Sequence, residues 1–197
     1  MSILICGADT EHGAEVLKII ANEDRGDARL VTCQQTFTNP SICDSIICDF
    51  RDESDIAHAV ARLVQDEHKI DLLVWAAKMR EDAPFAVMQS YNFQDHVMMN
   101  ALAPFILARY LTRFHVMEEG RVVILLDSPE PNKTNMPYFV SMNLLQALAR
   151  SSGDFFDGCV KIIGVIPPET SHPKHSLKFA EQLVTARGNL LTGQVVS

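Results

Sequence analysis

The chain has 197 residues, of which 47% are apolar and 7% aromatic, and it carries a formal net charge of −8. That length is one domain's worth and can bury a proper core, while the acidic balance excludes a general nucleic-acid or anionic-membrane surface. No apolar run approaches the roughly 18–20 residues of a membrane span, and no basic leader precedes the opening SILICGA, so a cytoplasmic protein is expected.

Ser2–Cys6 reads as a first strand, followed by the turn GADTEHG and a helical pattern through Val16, Leu17, Ile19 and Ile20. Strand, glycine turn and helix open a nucleotide-binding β-α-β unit. Glycines there let the backbone approach a pyrophosphate and let the helix pack close to the strand. Gly7 and Gly13 are therefore candidate cofactor-binding residues, with a merely tight strand-to-helix turn as the alternative. Glu11 stands inside this turn, where its carboxylate would repel a pyrophosphate.

Asp27–Cys33 reads as the second strand. An acid or a base usually follows such a strand and selects between NAD and NADP; Gln34 and Gln35 encode neither preference. The Asn39-Pro40 region reads as loop, and Ser45–Cys48 as a third strand leading into Asp49-Phe50. Ser54 is the expected start of a helix with Ile56, Ala59, Val60 and Leu63 inward. Asp71–Val74 is a fourth strand, running into Trp75-Ala76-Ala77-Lys78. After a connection containing Pro84, Asn92 is expected to cap a long helix over 93–114, kinked at Pro104.

Gly120–Leu126 is a fifth strand ending at Asp127-Ser128, with the turn-rich PEPNKTN after it. Met136–Arg150 reads as a helix whose Leu144, Leu145 and Leu148 form a buried stripe. Tyr138 and Met142, four residues apart, share one face near its N-terminal end. Val160–Ile166 is a sixth strand, and a helical pattern through Leu177, Phe179, Ala180, Leu183 and Val184 comes later. Alternating strands and helices predict an α/β fold, a doubly wound parallel sheet in a single domain over 1–197. The five cysteines are odd in number and form no C-x-x-C pair; Cys6, Cys48 and Cys159 are expected as buried, reduced core residues. His172 and His175 have loose metal spacing but no partner ligands, so no metal is expected.

These stretches together resemble the short-chain dehydrogenase/reductase family. Cys6 to Gly13 is similar to its T-G-x-x-x-G-x-G turn, with Glu11 at the middle glycine and Cys6 at the threonine. Asp49-Phe50 resembles the Asp-hydrophobic pair that holds the adenine ring. Where the family has N-N-A-G at the floor of the cofactor cleft, this chain has Trp75 to Lys78. Only alanine matches there, and the resemblance carries Ala76 as a candidate while Trp75 caps or fills the pocket. NALAPF is similar to N-V-x-A-P-F, which places Asn100 at the asparagine of the catalytic tetrad. Asp127 aligns with the carbonyl-polarising serine; aspartate stands there in the pteridine-reductase branch, and the adjacent Ser128 could substitute. Tyr138 matches the catalytic tyrosine, but Met142 replaces its lysine. Gly164 and Pro168 replace the asparagine and glycine of N-x-x-x-P-G, the substrate lid near 169–175 is short, and LLTGQVVS resembles a truncated C-terminal close.

The resemblance implies a Rossmann-like fold with a seventh strand, a homo-dimer through helices 93–114 and 137–150, and catalysis by Tyr138, Asn100 and Asp127. In the family the lysine grips the nicotinamide ribose and lowers the tyrosine pKa. An unaided tyrosine is only about one part in a thousand ionised at pH 7, and Met142 offers neither charge nor donor. NAD(P) binding is thus expected to be weak or absent. Three readings follow. One is a non-catalytic binding, regulatory or partner subunit with a small-molecule ligand in the remaining cleft. Another is a divergent NAD(P)-dependent reductase of a carbonyl or pterin-like substrate using Tyr138. The third is different chemistry in the same cleft.

Overall fold

The computed structural model describes residues 2–22, 29–34, 44–127, 134–152, 160–165 and 194–196. Seven strands form one sheet in the order β3-β2-β1-β4-β5-β6-β7, and every pairing is parallel. They are β1 (Ser2–Cys6), β2 (Arg29–Gln34), β3 (Asp44–Ile47), β4 (Leu72–Trp75), β5 (Gly120–Leu125), β6 (Val160–Val165) and β7 (Gln194–Val196). The closing strand implied by the family resemblance is present as β7.

Both faces of a parallel sheet are covered by helices, which is why these strands read as continuous apolar runs. Alternate side chains divide between two cores. Leu4, Cys6, Leu73, Trp75, Val122 and Ile124 face one core; Ile3, Ile5, Val74, Val123 and Leu125 face the other, beside Val16 of α1 (Glu11–Asn22). Cys6 and Cys48 are buried and in no disulfide, as expected, while Cys159 lies outside the described residues.

Helix α2 (Glu53–Gln65) buries the four residues named from the sequence. Its N-cap is Asp52, not Ser54: the Asp52 carboxylate accepts from the Ser54 backbone N–H at 2.8 Å. A carboxylate at that position both pairs an orphan N–H and complements the helix dipole.

The long helix expected over 93–114 is instead three segments. It begins earlier, as α3 (Ser90–Val97), with Gln89 at the cap and Asn92 inside the first turn, closing a capping box. A π-helical turn over Met98–Leu102 follows, then α4 (Ala103–Arg113). The cause is Pro104. It has no N–H to give to the carbonyl of Asn100 four residues back, so the backbone widens by one residue ahead of it. The Ala103 N–H accordingly bonds the Met98 carbonyl, five residues back.

Helix α5 (Met136–Ser151) buries Tyr138, Ser141, Met142, Leu145 and Ala149. The predicted leucine stripe holds only at Leu145; Leu144 and Leu148 are half-buried at its edges. No helix among the described residues is long and apolar enough to cross a membrane.

Candidate active site

The sheet reverses its winding between β1 and β4, and the crevice beyond their C-terminal ends is where open α/β sheets bind ligands. Gly7 leaves β1 there with φ +79°, the left-handed region that favours glycine. A Cβ on Gly7 would stand 2.4 Å from the Ala77 backbone, and one on Gly13 would stand 2.0 Å from the Gly7 carbonyl oxygen. Packing within the turn therefore requires both glycines, whatever the turn binds.

Thr10 locks the same turn. Its hydroxyl donates to the Gly7 carbonyl at 2.7 Å, lies 3.1 Å from the Ala76 carbonyl, and accepts from the Gly13 N–H at 3.1 Å. A helix N-terminus recruits anions through its unpaired N–H groups; here a side chain of the chain itself takes one of them. Glu11, exposed in the first turn of α1, adds a carboxylate at the same end. Sequence reading missed Thr10, although a threonine three residues ahead of Gly13 is an ordinary N-cap signal.

Across the crevice, β5 and α5 bring Asp127 and Tyr138 together. The Tyr138 hydroxyl donates to Asp127 Oδ2 at 2.5 Å, and Gln146 Nε2 donates to the Asp127 carbonyl at 2.9 Å. Tyr138 is only 2% exposed. Burial, then the hydrogen bond and charge of Asp127, push its phenol well above the ordinary value; the Arg80 guanidinium, 5.4 Å from the ring centroid, pulls weakly the other way. Met142 lies one turn further along α5 and is 1% exposed.

The hydrogen bonds of Asn100 go elsewhere than to the Tyr138 hydroxyl. Its amide brackets Met79, accepting from the Met79 N–H at 2.7 Å and donating to the Met79 carbonyl at 2.9 Å. It also donates to Ser141 Oγ at 3.0 Å, and Ser141 in turn donates to the Tyr138 carbonyl. Asn100 thus ties the segment after β4 to the helix that carries Tyr138. His96, fully buried, reinforces that segment from α3, accepting from the Glu81 N–H at 3.1 Å.

Trp75 fills space. It is 1% exposed and meets Phe50 edge-on, ring centroids 4.7 Å apart, so Phe50 lies in the core with it. The indole N–H has no hydrogen-bond partner among the described residues. Ala76 is buried, its N–H donating to the Cys6 carbonyl at 2.8 Å. Asp49 faces a cleft of about 480 Å³ between the ends of β3 and β4, whose charged wall also includes Arg51, Asp55, Lys78, Arg80 and Glu81. Asp49 and Arg51 form a bidentate pair, the closest contact 2.6 Å. Ser128, Pro168, the segment 169–175 with its two histidines, and the helical pattern beyond it lie outside the described residues. Among the described residues, no cluster of three or more metal-ligating side chains occurs.

Comparison with known proteins agrees with this architecture. The family model described as enoyl-(acyl carrier protein) reductase matches residues 5–156. No curated protein matches. An oxidoreductase of the short-chain dehydrogenase/reductase family from Brucella ovis, in complex with a partially ordered NAD, superposes with a TM-score of 0.80 at 22% identity, covering 99% of this chain and 97% of that one. A short-chain dehydrogenase/reductase from Serratia marcescens gives 0.81 at 15% identity, covering 100% and 95%. A single-substitution variant of the actinorhodin polyketide ketoreductase, with NADPH, gives 0.82 at 16% identity, covering 99% and 94%. At these identities the likeness is one of fold. With a family model matched over most of its length and that fold throughout, the chain belongs to the short-chain dehydrogenase/reductase family.

Proposed function

We propose that this chain is a non-catalytic member of its family, a small-molecule-binding, regulatory or partner subunit that has kept the fold and lost hydride transfer. The observation that carries the reading is the Tyr138–Asp127 hydrogen bond at 2.5 Å, on a helix face where position 142 supplies a buried thioether. A tyrosine whose proton is held by a carboxylate, with only the Arg80 guanidinium over its ring and no lysine at position 142, is a poor base.

The Brucella ovis structure holds NAD and the polyketide ketoreductase structure holds NADPH. The residues of this chain do not fit such a dinucleotide well. Thr10 occupies a turn N–H, Glu11 sets a carboxylate beside the turn, Trp75 fills the floor and Met142 has no donor for a ribose hydroxyl. The reading includes a homo-dimer through α3–α4 and α5, supported by Leu102 and Phe114 exposed on one and Met136 on the other; sedimentation velocity checks it.

Calorimetric titration with NADH and NADPH tests the reading. Affinity no tighter than about 1 mM, equivalent to about 4 kcal/mol, is expected for both. Micromolar binding of either, with turnover of carbonyl substrates lost in Tyr138→Phe, would overturn it.

A further inference from the structure

We infer that Lys78 is an anion-recognition residue: the cleft between the ends of β3 and β4 takes a small organic ligand whose carboxylate or phosphate oxygens rest on its ammonium. The inference deepens the proposed function, because it rests on this cleft being a ligand site.

The charged groups around the cleft are nearly all engaged by their own neighbours. Arg51 is held by Asp49, with Asp95 a further 3.8 Å contact. Arg80 pairs with Asp82 at 3.3 Å. Glu81 accepts from Asn92 at 3.2 Å, and Asp55 accepts from the Asp49 N–H at 3.2 Å. Lys78 differs. Among the described residues it has no hydrogen bond and no ion pair, although it is half-buried in the wall. Burial pushes its ammonium below the ordinary lysine value, and the charge of Asp127 only partly offsets this. The same charge reaches His12, which burial and then Lys78 hold below the usual histidine value.

A desolvated, unpaired ammonium is costly in a chain of net charge −8 that could have set a carboxylate against it. An incoming oxyanion would remove that cost, and a compact ammonium suits a single oxygen group rather than a planar fork. The rest of the wall suits the ligand's organic part: Met79, Met99 and Ile47 supply apolar surface, Ile47 being 48% exposed. A volume of about 480 Å³ is within the usual range for small-molecule sites. The family pattern carries glycine at position 78, so the ammonium is this chain's own feature.

The test uses the full chain with isotopically labelled lysine, observed by NMR while sodium phosphate or sodium acetate is added at fixed ionic strength. One lysine signal, absent from Lys78→Met, should shift with saturation and titrate at a higher pH when the anion is bound. Calorimetry should show affinity for the effective anion at least about tenfold weaker in Lys78→Met, with Lys69→Met, an exposed lysine paired to Glu118, unchanged. A response to phosphate alone points to a phosphate ester, and to acetate alone to a carboxylate; both support the inference. If neither anion moves the Lys78 signal, or Lys78→Met binds as the wild type does, the inference is wrong. Tight NADPH binding that persists in Lys78→Met overturns the non-catalytic reading instead and leaves the anion result to stand by itself.

Discussion

The two ends of the crevice have been treated oppositely. At the Tyr138 end the phenol and the Asp127 carboxylate are bonded to each other, and Met142 is buried beside them at 1% exposed. At the β3–β4 end a cleft of about 480 Å³ stays open, lined in part by Lys78, which has no hydrogen bond or ion pair among the described residues. A site that must act on a ligand leaves polar groups unpaired until the ligand arrives, whereas a relic of one is free to pair or bury them. The contrast separates a closed end of the crevice from one with room left in it.

Replacing Met142 by lysine tests the closed end most severely. An ammonium forced into that buried position must shed its water beside an Asp127 carboxylate already bonded to Tyr138, and Met142→Lys should lose about 3 kcal/mol or more of stability in denaturant unfolding. Unchanged stability would mean that the position opens to solvent and that the end is not closed. Asn100→Ala breaks the tie between the ends. It strands the Met79 N–H and carbonyl, and a loss of about 2–3 kcal/mol is expected by the same measurement. Tyr138→Phe leaves Asp127 without one hydrogen bond and should cost about 1–2 kcal/mol.

The pH dependence follows from the same bond. A phenol raised in the folded state holds its proton where the unfolded chain has released it, so stability is intact below about pH 10 and falls as pH rises beyond it. Tyrosinate absorbance near pH 10 should accordingly be the same in the wild type and Tyr138→Phe. The smallest effect belongs to Arg80→Ala. Its ion pair with Asp82 is exposed and its contact with the Tyr138 ring is peripheral, so about 0.5–1 kcal/mol or less is expected.

Much of this architecture is legible in the sequence because strands buried on both faces announce themselves as unbroken apolar runs, as in LLVW and GRVVIL. The split at Met98–Leu102 is less so: Pro104 signals a disturbance, but whether the backbone kinks or widens depends on what Asn100 finds to bond, and Met79 lies 21 residues away. The same limit hid the site's logic. Tyr138 and Asp127 could be paired through the family resemblance, yet nothing local in MPYFVSM says that Met142 is sealed. Lys78 reads from the sequence as one more departure from a pattern. Its lack of a partner depends on how Arg51, Arg80 and the surrounding carboxylates pair among themselves, visible only in three dimensions.

The most direct measurement is a crystal structure of the protein grown with NADPH in excess. No ordered nicotinamide ring is expected beside Tyr138, and its hydroxyl should still be bonded to Asp127. A nicotinamide ribose seated against Tyr138 and Met142, with that hydroxyl turned toward the ring, would contradict the loss of hydride transfer.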